Sequence, residues 1–150
     1  MAAFRARAVA TETGQSTYAV RIAVGGHVLT GDEAVDAGGG GLGPSPFELL
    51  SAALAECTAM TMRWYAQQQG WSVEGIEVAV DYGKKVLAGA ASPVDAFEKT
   101  ISIQAPDLTD EQRTRLLNVA AKCPVQRTLE SVPMITTLVA PTPGRISDHR

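Results

Sequence analysis

The chain has 150 residues, a length typical of one domain, which excludes a large multidomain machine. Hydrophobic residues make up 45% of it and charged residues 19%, a balance that predicts a folded core rather than disorder. The formal net charge of −3 argues against nucleic acid or an anionic membrane as a partner. Because residues 1–7 lack the apolar core of a secretory signal, and no apolar run is long enough to span a membrane, we expect one cytoplasmic domain over residues 1–150.

The first third of the chain predicts β-strands and a connector. Residues 17–24 place four large side chains on one face at period two, as a β-strand does: Tyr18, Val20, Ile22 and Val24. Gly25 and Gly26 favour a tight turn into a second strand that begins at His27, which predicts a hairpin. The Gly-rich stretch 38–44 is not followed by Gly-Lys-Ser/Thr and has no G-x-G-x-x-G opening in a βαβ unit to bind phosphate, so we predict a flexible connector there.

A long helix is predicted after this connector. Ser45 is placed as the N-cap, with Pro46 at the first helical position and Glu48 at the third, which forms a capping box. No helix-breaking residue follows until Gly70, so the helix is expected to run for about 24 residues. It is apolar on most of its surface through Met62, which predicts burial in the core or against a partner.

The second half of the chain predicts a mixture of strands and helices. In chain order its elements are strands over 73–82 and 99–105, a helix from 109 to 122, a short helix that starts at Cys123-Pro124, and a strand over 134–139. A polar segment around 83–93 joins the first two strands, and residues 141–150 are predicted to form a flexible tail. This order of elements predicts an α+β fold.

Cys57 and Cys123 are the residues with the most distinctive chemistry. A reducing cytoplasm disfavours a structural disulfide between them. A zinc site would also need His27 and His149, and the spacing of these four residues matches no zinc-binding pattern, so we expect no metal and no cofactor. The two thiols are therefore either core residues or a redox pair.

The two cysteines differ in their predicted surroundings. Cys57 lies in the middle of the long helix among apolar neighbours, which would keep a lone thiol neutral. Cys123 lies at the N-cap of a proline-started turn, where unpaired N–H groups and the helix dipole favour a thiolate. Lys122 and Arg127 flank Cys123 in the sequence and add positive charge.

Three segments carry a resemblance to a known family. They are GPSPFELL at 43–50, AALAECTAMT at 52–61 and CPV at 123–125. A Pro-capped helix with a central cysteine, followed 66 residues later by Cys-Pro, resembles the OsmC/Ohr family over most of the chain.

The resemblance implies a fold, an assembly and an activity. Members have antiparallel sheets packed around a long central helix in an intertwined homodimer, and characterised members reduce organic hydroperoxides and hydrogen peroxide in oxidative-stress defence. By this resemblance Cys57 is the catalytic cysteine that attacks the peroxide and becomes a sulfenic acid, and Cys123 is the resolving cysteine. An external dithiol, a lipoylated protein in some members, then reduces the disulfide.

Two departures from the peroxidase branches leave an alternative open. Those branches have a Glu ten residues before the reactive cysteine, where this chain has Phe47. They also have an activating Arg in an early loop, whereas residues 13–16 contain none and Arg21 falls within a predicted strand. The chain looks closer to a general OsmC-like branch. The alternative function is a non-catalytic binding protein for a small hydrophobic molecule on the same scaffold.

Overall fold

The computed structural model describes residues 4–141. Its elements, in chain order, are β1 (Ala8–Glu12), β2 (Val20–Val24), β3 (His27–Gly31), a 3-10 turn (Val35–Ala37), α1 (Pro46–Gln69), β4 (Gly75–Lys85), β5 (Val94–Gln104), α2 (Asp110–Ala120) and α3 (Pro124–Glu130). This mixture of helices and antiparallel sheets confirms the predicted α+β class. No helix within the described range is long and apolar enough to cross a membrane.

The strands form two separate antiparallel sheets. The first has the order β1-β2-β3, and its β2–β3 hairpin turns at Gly25 and Gly26 as predicted. Both glycines have positive φ angles, 54° and 78°, a region that other residues rarely occupy. The second sheet is a hairpin of β4 and β5, paired from Gly75 opposite Gln104 to Lys85 opposite Val94.

The start and end of α1 confirm the sequence prediction. The Ser45 hydroxyl accepts a hydrogen bond from the Glu48 N–H at 3.3 Å, and the Glu48 carboxylate accepts one from the Ser45 N–H at 2.7 Å. Gly70 ends the helix in the left-handed conformation, with φ 67°. Both ends are therefore fixed by residues within one helical turn of the boundary.

The core lies between α1, α2 and the second sheet. One stripe of α1, with members four residues apart, is buried: Leu54, Thr58, Met62 and Ala66. The buried apolar cluster consists of Met62, Ala66, Val73, Ala105, Leu116 and Ala120. The remaining apolar surface of α1 is not all covered within one chain, since Met60 is 63% exposed and Trp64 is 59% exposed.

The predicted strand over 134–139 is wrong for this chain. The segment after α3 has no regular structure and pairs with no described strand. Its apolar side chains are open to solvent, with Val132 99% and Met134 92% exposed. The sequence indicated a strand, but a strand also needs a neighbour to pair with, and residues 4–141 supply none. Of the predicted tail, residues 142–150 lie outside the described residues.

Several predicted boundaries also differ. β2 starts at Val20 rather than at 17, because the Ser16 hydroxyl accepts hydrogen bonds from the Tyr18 and Ala19 N–H groups and holds the chain in a turn. The second hairpin extends through 75–85 and 94–104, so its connection spans only 86–93. α2 ends at Ala120 instead of 122, and β1 was not predicted as a separate strand.

The Gly-rich connector is ordered by a buried carboxylate, so the prediction of a flexible connector is wrong. Asp32 accepts hydrogen bonds from the Ser16 hydroxyl at 2.8 and 2.9 Å and from the N–H groups of Gly40 and Leu42 at 3.0 and 3.3 Å. A Cβ at Gly39 would overlap the carbonyl oxygen of Glu33, so this close approach requires glycine. The loop therefore has a defined path into α1.

Candidate functional site

Cys57 is half-buried on α1 and opens onto a surface groove of about 570 Å³. The lining residues come from α1 and from the chain around the start of α3: Ala53, Glu56, Cys57, Met60, Thr61, Trp64, Lys122, Pro124 and Val125. The groove is mainly apolar, as the sequence predicted for the surroundings of Cys57. Helical spacing also places Leu50 and Leu54 on the Cys57 face of α1, but in the structure these two residues line a different cavity.

Cys123 is the N-cap of α3, as the sequence predicted. Its side chain is 0% exposed, and its sulfur accepts a hydrogen bond from the Gln126 N–H at 3.3 Å. Pro124 at the first helical position needs no partner for a backbone donor, since proline has none. The sulfur thus takes the position in which a serine or threonine oxygen commonly caps a helix.

The structure brings the two predicted site residues together. The Cys57 thiol lies close enough to Cys123 to lower the pKa of the Cys123 thiol, and both cysteines are free thiols. Cys57 faces the groove, and Cys123 lies buried at the start of α3. The pair therefore consists of one thiol that a solute can reach and one that it cannot.

Lys99 is a cation at the site that sequence reasoning missed. It lies on β5, and its ammonium group donates three hydrogen bonds: to the Thr58 hydroxyl at 3.2 Å, to the Ala120 carbonyl at 2.7 Å and to the Gln126 side-chain oxygen at 2.6 Å. All three acceptors are uncharged. Lys99 thereby connects β5 to α1, to the end of α2 and to the first turn of α3.

Thr58 is the second missed residue. It is 0% exposed, one helical position after Cys57, and its hydroxyl lies 3.6 Å from the Cys123 sulfur and 2.8 Å from the Leu54 carbonyl. The hydroxyl has one proton, which it can donate to the Leu54 carbonyl or to the sulfur, and its oxygen accepts from the Lys99 ammonium group. Thr58 therefore stands between the positive charge and the buried thiol.

The environment of Cys123 favours its thiolate. Burial raises the pKa of the Cys123 thiol, but hydrogen bonds from the Gln126 N–H, the Thr58 hydroxyl and the Cys57 thiol act against it. The positive charge of Lys99 acts in the same direction as these hydrogen bonds. The net result is a pKa of Cys123 below its ordinary value, in agreement with the prediction from its N-cap position.

The source of the positive charge differs from the sequence prediction. Lys122 and Arg127, the flanking residues in the sequence, are both exposed, and the cation that acts on Cys123 comes from β5 instead. Arg21 lies on β2 opposite Thr30 in the first sheet, as predicted for a strand residue. Glu48 serves as the cap of α1 and takes no part in the cysteine pair.

A second cavity has Lys99 and Gln126 in its lining. It has a volume of about 580 Å³ and is lined by apolar side chains with polar groups among them: Phe47, Leu50, Leu54, Tyr82, Asp95, Ala96, Phe97, Lys99, Gln126, Leu129 and Glu130. Phe47 stacks on Tyr82 with ring centroids 4.4 Å apart. Phe47 and Tyr82 therefore form an aromatic wall of this cavity.

Signals for the missed residues are present in the sequence. Phe97, Ile101 and Ile103 alternate with polar residues and point toward the core, and Lys99 occupies one of these inward positions. Thr58 is the polar member of the buried i, i+4 stripe of α1. A polar or charged residue at a core position needs hydrogen-bond partners, which marks Lys99 and Thr58 as candidate site residues.

In residues 4–141 no three His, Cys, Asp or Glu side chains lie close enough together to hold a metal ion.

Comparisons with known proteins agree with this architecture. The OsmC-like protein of Mycoplasma pneumoniae matches with a TM-score of 0.69 at 16% identity, covering 86% of this chain and 89% of that protein. The organic hydroperoxide resistance protein OsmC of Legionella pneumophila gives 0.63 at 18%, covering 86% and 91%. The organic hydroperoxide resistance protein OhrB of Bacillus subtilis gives 0.58 at 20%, covering 83% and 90%.

These likenesses show a shared fold, with a long helix and antiparallel sheets. No curated protein matches the chain. The family model described as OsmC-like protein matches residues 38–137, which include α1, the second sheet, both cysteines and Lys99. Since this match extends over more than half of the sequence, the chain belongs to the OsmC/Ohr family.

Proposed function

We propose that the protein is a thiol-dependent peroxidase that reduces organic hydroperoxides or hydrogen peroxide through Cys57 and Cys123, in oxidative-stress defence. It acts in the cytoplasm as a homodimer, and an external dithiol, such as a lipoylated protein, keeps it reduced. Membership of the OsmC/Ohr family supports a role in peroxide defence. The relatives from Legionella pneumophila and Bacillus subtilis, which share the fold, are named organic hydroperoxide resistance proteins.

One observation carries the proposal: an accessible thiol lies beside a buried thiol whose thiolate is stabilised. Cys57 opens onto a mainly apolar groove, which suits the organic part of a hydroperoxide. Cys123 lies beside Cys57, and the pKa of its thiol is lowered. A redox pair needs one accessible sulfur that reacts with the substrate. It also needs a second sulfur that, as a thiolate, can attack the oxidised first sulfur.

The proposed chemistry has two steps on the protein. The Cys57 thiolate attacks the peroxide, the O–O bond breaks, and the leaving alkoxide takes up a proton and departs as an alcohol. The sulfur is thereby oxidised by two electrons to a sulfenic acid. The Cys123 thiolate then attacks the Cys57 sulfur, the S–S bond forms, the S–O bond breaks, and hydroxide leaves and is protonated to water. The external dithiol reduces the disulfide by exchange.

A single-turnover assay with cumene hydroperoxide tests this proposal. The parent protein should consume one peroxide per subunit and give a Cys57–Cys123 disulfide within one chain, detectable by mass spectrometry. Cys57→Ser should consume none. Cys123→Ser should complete the first turnover, retain the sulfenic acid and overoxidise as the peroxide concentration is raised.

The alternative function gives different outcomes in the same assay. The cavity of about 580 Å³, with its apolar wall of Phe47, Leu50 and Phe97, is the observation that favours binding of a small hydrophobic molecule. A parent protein that reduces less than one peroxide per subunit over many minutes contradicts the peroxidase. Saturable binding of a fluorescent fatty acid that Leu50→Trp abolishes would then establish the binding protein.

Exposed apolar surface supports the homodimer. The segment after α3 leaves its apolar side chains almost fully exposed, and the first sheet makes no extensive contact with α1 or with the second sheet. An apolar groove of about 740 Å³ lies between the first sheet and the start of α1, and its lining includes Ile22 and Leu49. Apolar area of this kind is a mark of a protein interface.

A further inference from the structure

We propose that Lys99 is a positioning residue for the second step of the reaction: through Thr58 and Gln126 it holds Cys123 in the thiolate form beside Cys57. The inference rests on the proposed function and assigns a role to a residue outside the family's cysteine motifs. Lys99 does not touch the reacting sulfur through a hydrogen bond of its own. It acts through two residues that do.

The first part of the argument is the way in which Lys99 is held. Each of the three ammonium protons is directed to an acceptor, at 2.6, 2.7 and 3.2 Å, and these acceptors belong to Gln126, Ala120 and Thr58. None of them is a carboxylate. A half-buried cation whose three hydrogen-bond acceptors are uncharged leaves its field available to a nearby group that can become negative, and Cys123 is that group.

The second part concerns the single proton of the Thr58 hydroxyl. Two acceptors lie near it, the Leu54 carbonyl at 2.8 Å and the Cys123 sulfur at 3.6 Å. Because Lys99 donates to the hydroxyl oxygen, that proton is polarised toward its acceptor. The Leu54 carbonyl keeps its backbone partner in α1, so the hydroxyl can turn to a sulfur anion without leaving that carbonyl unpaired.

The third part concerns Gln126, which contacts the cluster twice. Its N–H donates to the Cys123 sulfur at 3.3 Å, and its side-chain oxygen accepts from Lys99 at 2.6 Å. Lys99 thereby fixes the first turn of α3 against β5, which fixes the N–H group that caps the sulfur. The side-chain NH2 group of Gln126 also donates to the Glu130 carboxylate at 2.8 Å, which orients the side-chain oxygen of Gln126 toward Lys99.

The other charged groups near Cys123 do not replace Lys99. From α1 the titratable group that faces Cys123 is Cys57, and from β5 it is Lys99. Lys122 at the end of α2 is exposed, as are Arg127 and Glu130 on α3. Exposed charges are screened by water and salt, so the half-buried ammonium group has the larger effect.

The chemical consequence is confined to the step in which the S–S bond forms. In that step the Cys123 thiolate attacks the sulfenic sulfur of Cys57, and hydroxide leaves and is protonated to water. Only the thiolate attacks, so the rate at neutral pH depends on the fraction of Cys123 that is ionised. Loss of Lys99 should therefore slow disulfide formation at pH 7 and slow it less at pH 9, where the thiol ionises without help.

The first experiment titrates Cys123 alone, in protein that carries Cys57→Ser, by the thiolate absorbance near 240 nm. Lys99→Met and the isosteric Thr58→Val should each raise the pKa of Cys123, whereas Thr58→Ser, which keeps the hydroxyl, should restore the parent value. Lys85→Met is the matched control, since it removes an exposed lysine of β4 that pairs with Glu98. This readout requires no peroxidase activity.

The second experiment follows disulfide formation by stopped flow in protein with both cysteines. In Lys99→Met and Thr58→Val the second step at pH 7 should slow by up to about tenfold for each unit by which the pKa rises, and the deficit should shrink toward pH 9. An unchanged Cys123 titration in both variants, or an equal deficit at pH 7 and pH 9, overturns the inference. A parent protein that consumes no peroxide contradicts the proposed function instead, and the titration still decides the role of Lys99.

Discussion

Asp32 is the residue on which the loop before α1 depends. Burial raises the pKa of its carboxyl group, but hydrogen bonds from the Ser16 hydroxyl and from three backbone N–H groups outweigh burial, and the pKa is lowered. A carboxylate accepts all of these bonds at once, whereas a protonated carboxyl group or an amide would direct a donor at one of them. The charged form is therefore the one that holds the loop.

We predict that this contribution to stability depends on pH. Because the folded-state pKa of Asp32 is lowered, the stabilisation is present above the unfolded-state pKa of about 3.9 and is lost as the pH falls through the folded-state pKa. Asp32→Asn should therefore lower the unfolding free energy at pH 6 and have a progressively smaller effect below about pH 4. Urea denaturation at several pH values measures this difference.

Glu33→Gln is the matched control for this prediction. Glu33 is the adjacent acidic residue, and within residues 4–141 its side chain makes no hydrogen bond. It should show no such pH-dependent difference. A loss of stability in Asp32→Asn that stays constant from pH 6 to pH 2.5 would contradict the role given to the charge.

At the residue scale, the sequence singled out the two cysteines but not the contacts that Lys99 makes beside them. Cys57 and Cys123 are found through local motifs, a capped helix with a central cysteine and a Cys-Pro turn. Lys99 meets its partners across 41, 27 and 21 residues of chain, to Thr58, Gln126 and Ala120. Such contacts depend on how β5 packs on three helices, which no local pattern contains.

At the scale of elements, helix ends were predicted better than strand ends. The ends of α1 and the start of α2 follow from capping residues within four positions of the boundary, and Thr109 and Gln112 form their capping box at 3.1 and 2.9 Å. The second hairpin runs longer than its sequence indicates because pairs across the strands stabilise its outer part. These pairs include Tyr82 with Asp95 and Lys85 with Glu98.

We predict that α2 is held to the core by one side chain above all. Leu116 is 0% exposed and belongs to the buried cluster shared with α1 and β5. Leu116→Ala should leave a cavity there and lower the unfolding free energy by about 2–5 kcal/mol. Chemical denaturation monitored by Trp fluorescence measures the change, since Trp71 packs against the same cluster.

The neighbouring leucine supplies the control. Leu117 is the next residue of α2 and is 44% exposed. Leu117→Ala should change the unfolding free energy by less than about 1 kcal/mol, because helix propensity favours alanine and little packing is lost. Equal losses in the two variants would show that burial within one chain does not determine the stability of α2.

At the scale of the whole molecule, the described chain leaves a large apolar surface without cover. We expect light scattering and sedimentation at micromolar concentration to give a dimer mass. A charge placed on the segment after α3, as in Ile135→Asp or Leu138→Asp, should shift the protein toward monomer, because a carboxylate is costly to bury without a partner. A folded monomer in the parent protein contradicts the homodimer.

Leu87→Asp is the control for the dimer prediction. Leu87 is also an exposed apolar residue, but it lies in the connection between β4 and β5. The substitution adds the same charge and should leave the mass unchanged. If Leu87→Asp also gave monomer, the interface would have to include the tip of the second hairpin rather than the segment after α3 alone.

Within residues 4–141, every strand pairing joins strands that follow one another in the chain. Such pairings close short loops, so the entropy lost before each contact forms is small and folding is fast. Both sheets should therefore form in a single chain before it meets a second copy. In refolding experiments we expect a first phase in far-ultraviolet circular dichroism whose rate is independent of protein concentration. A slower phase, in which apolar surface is covered, should become faster as the protein concentration rises.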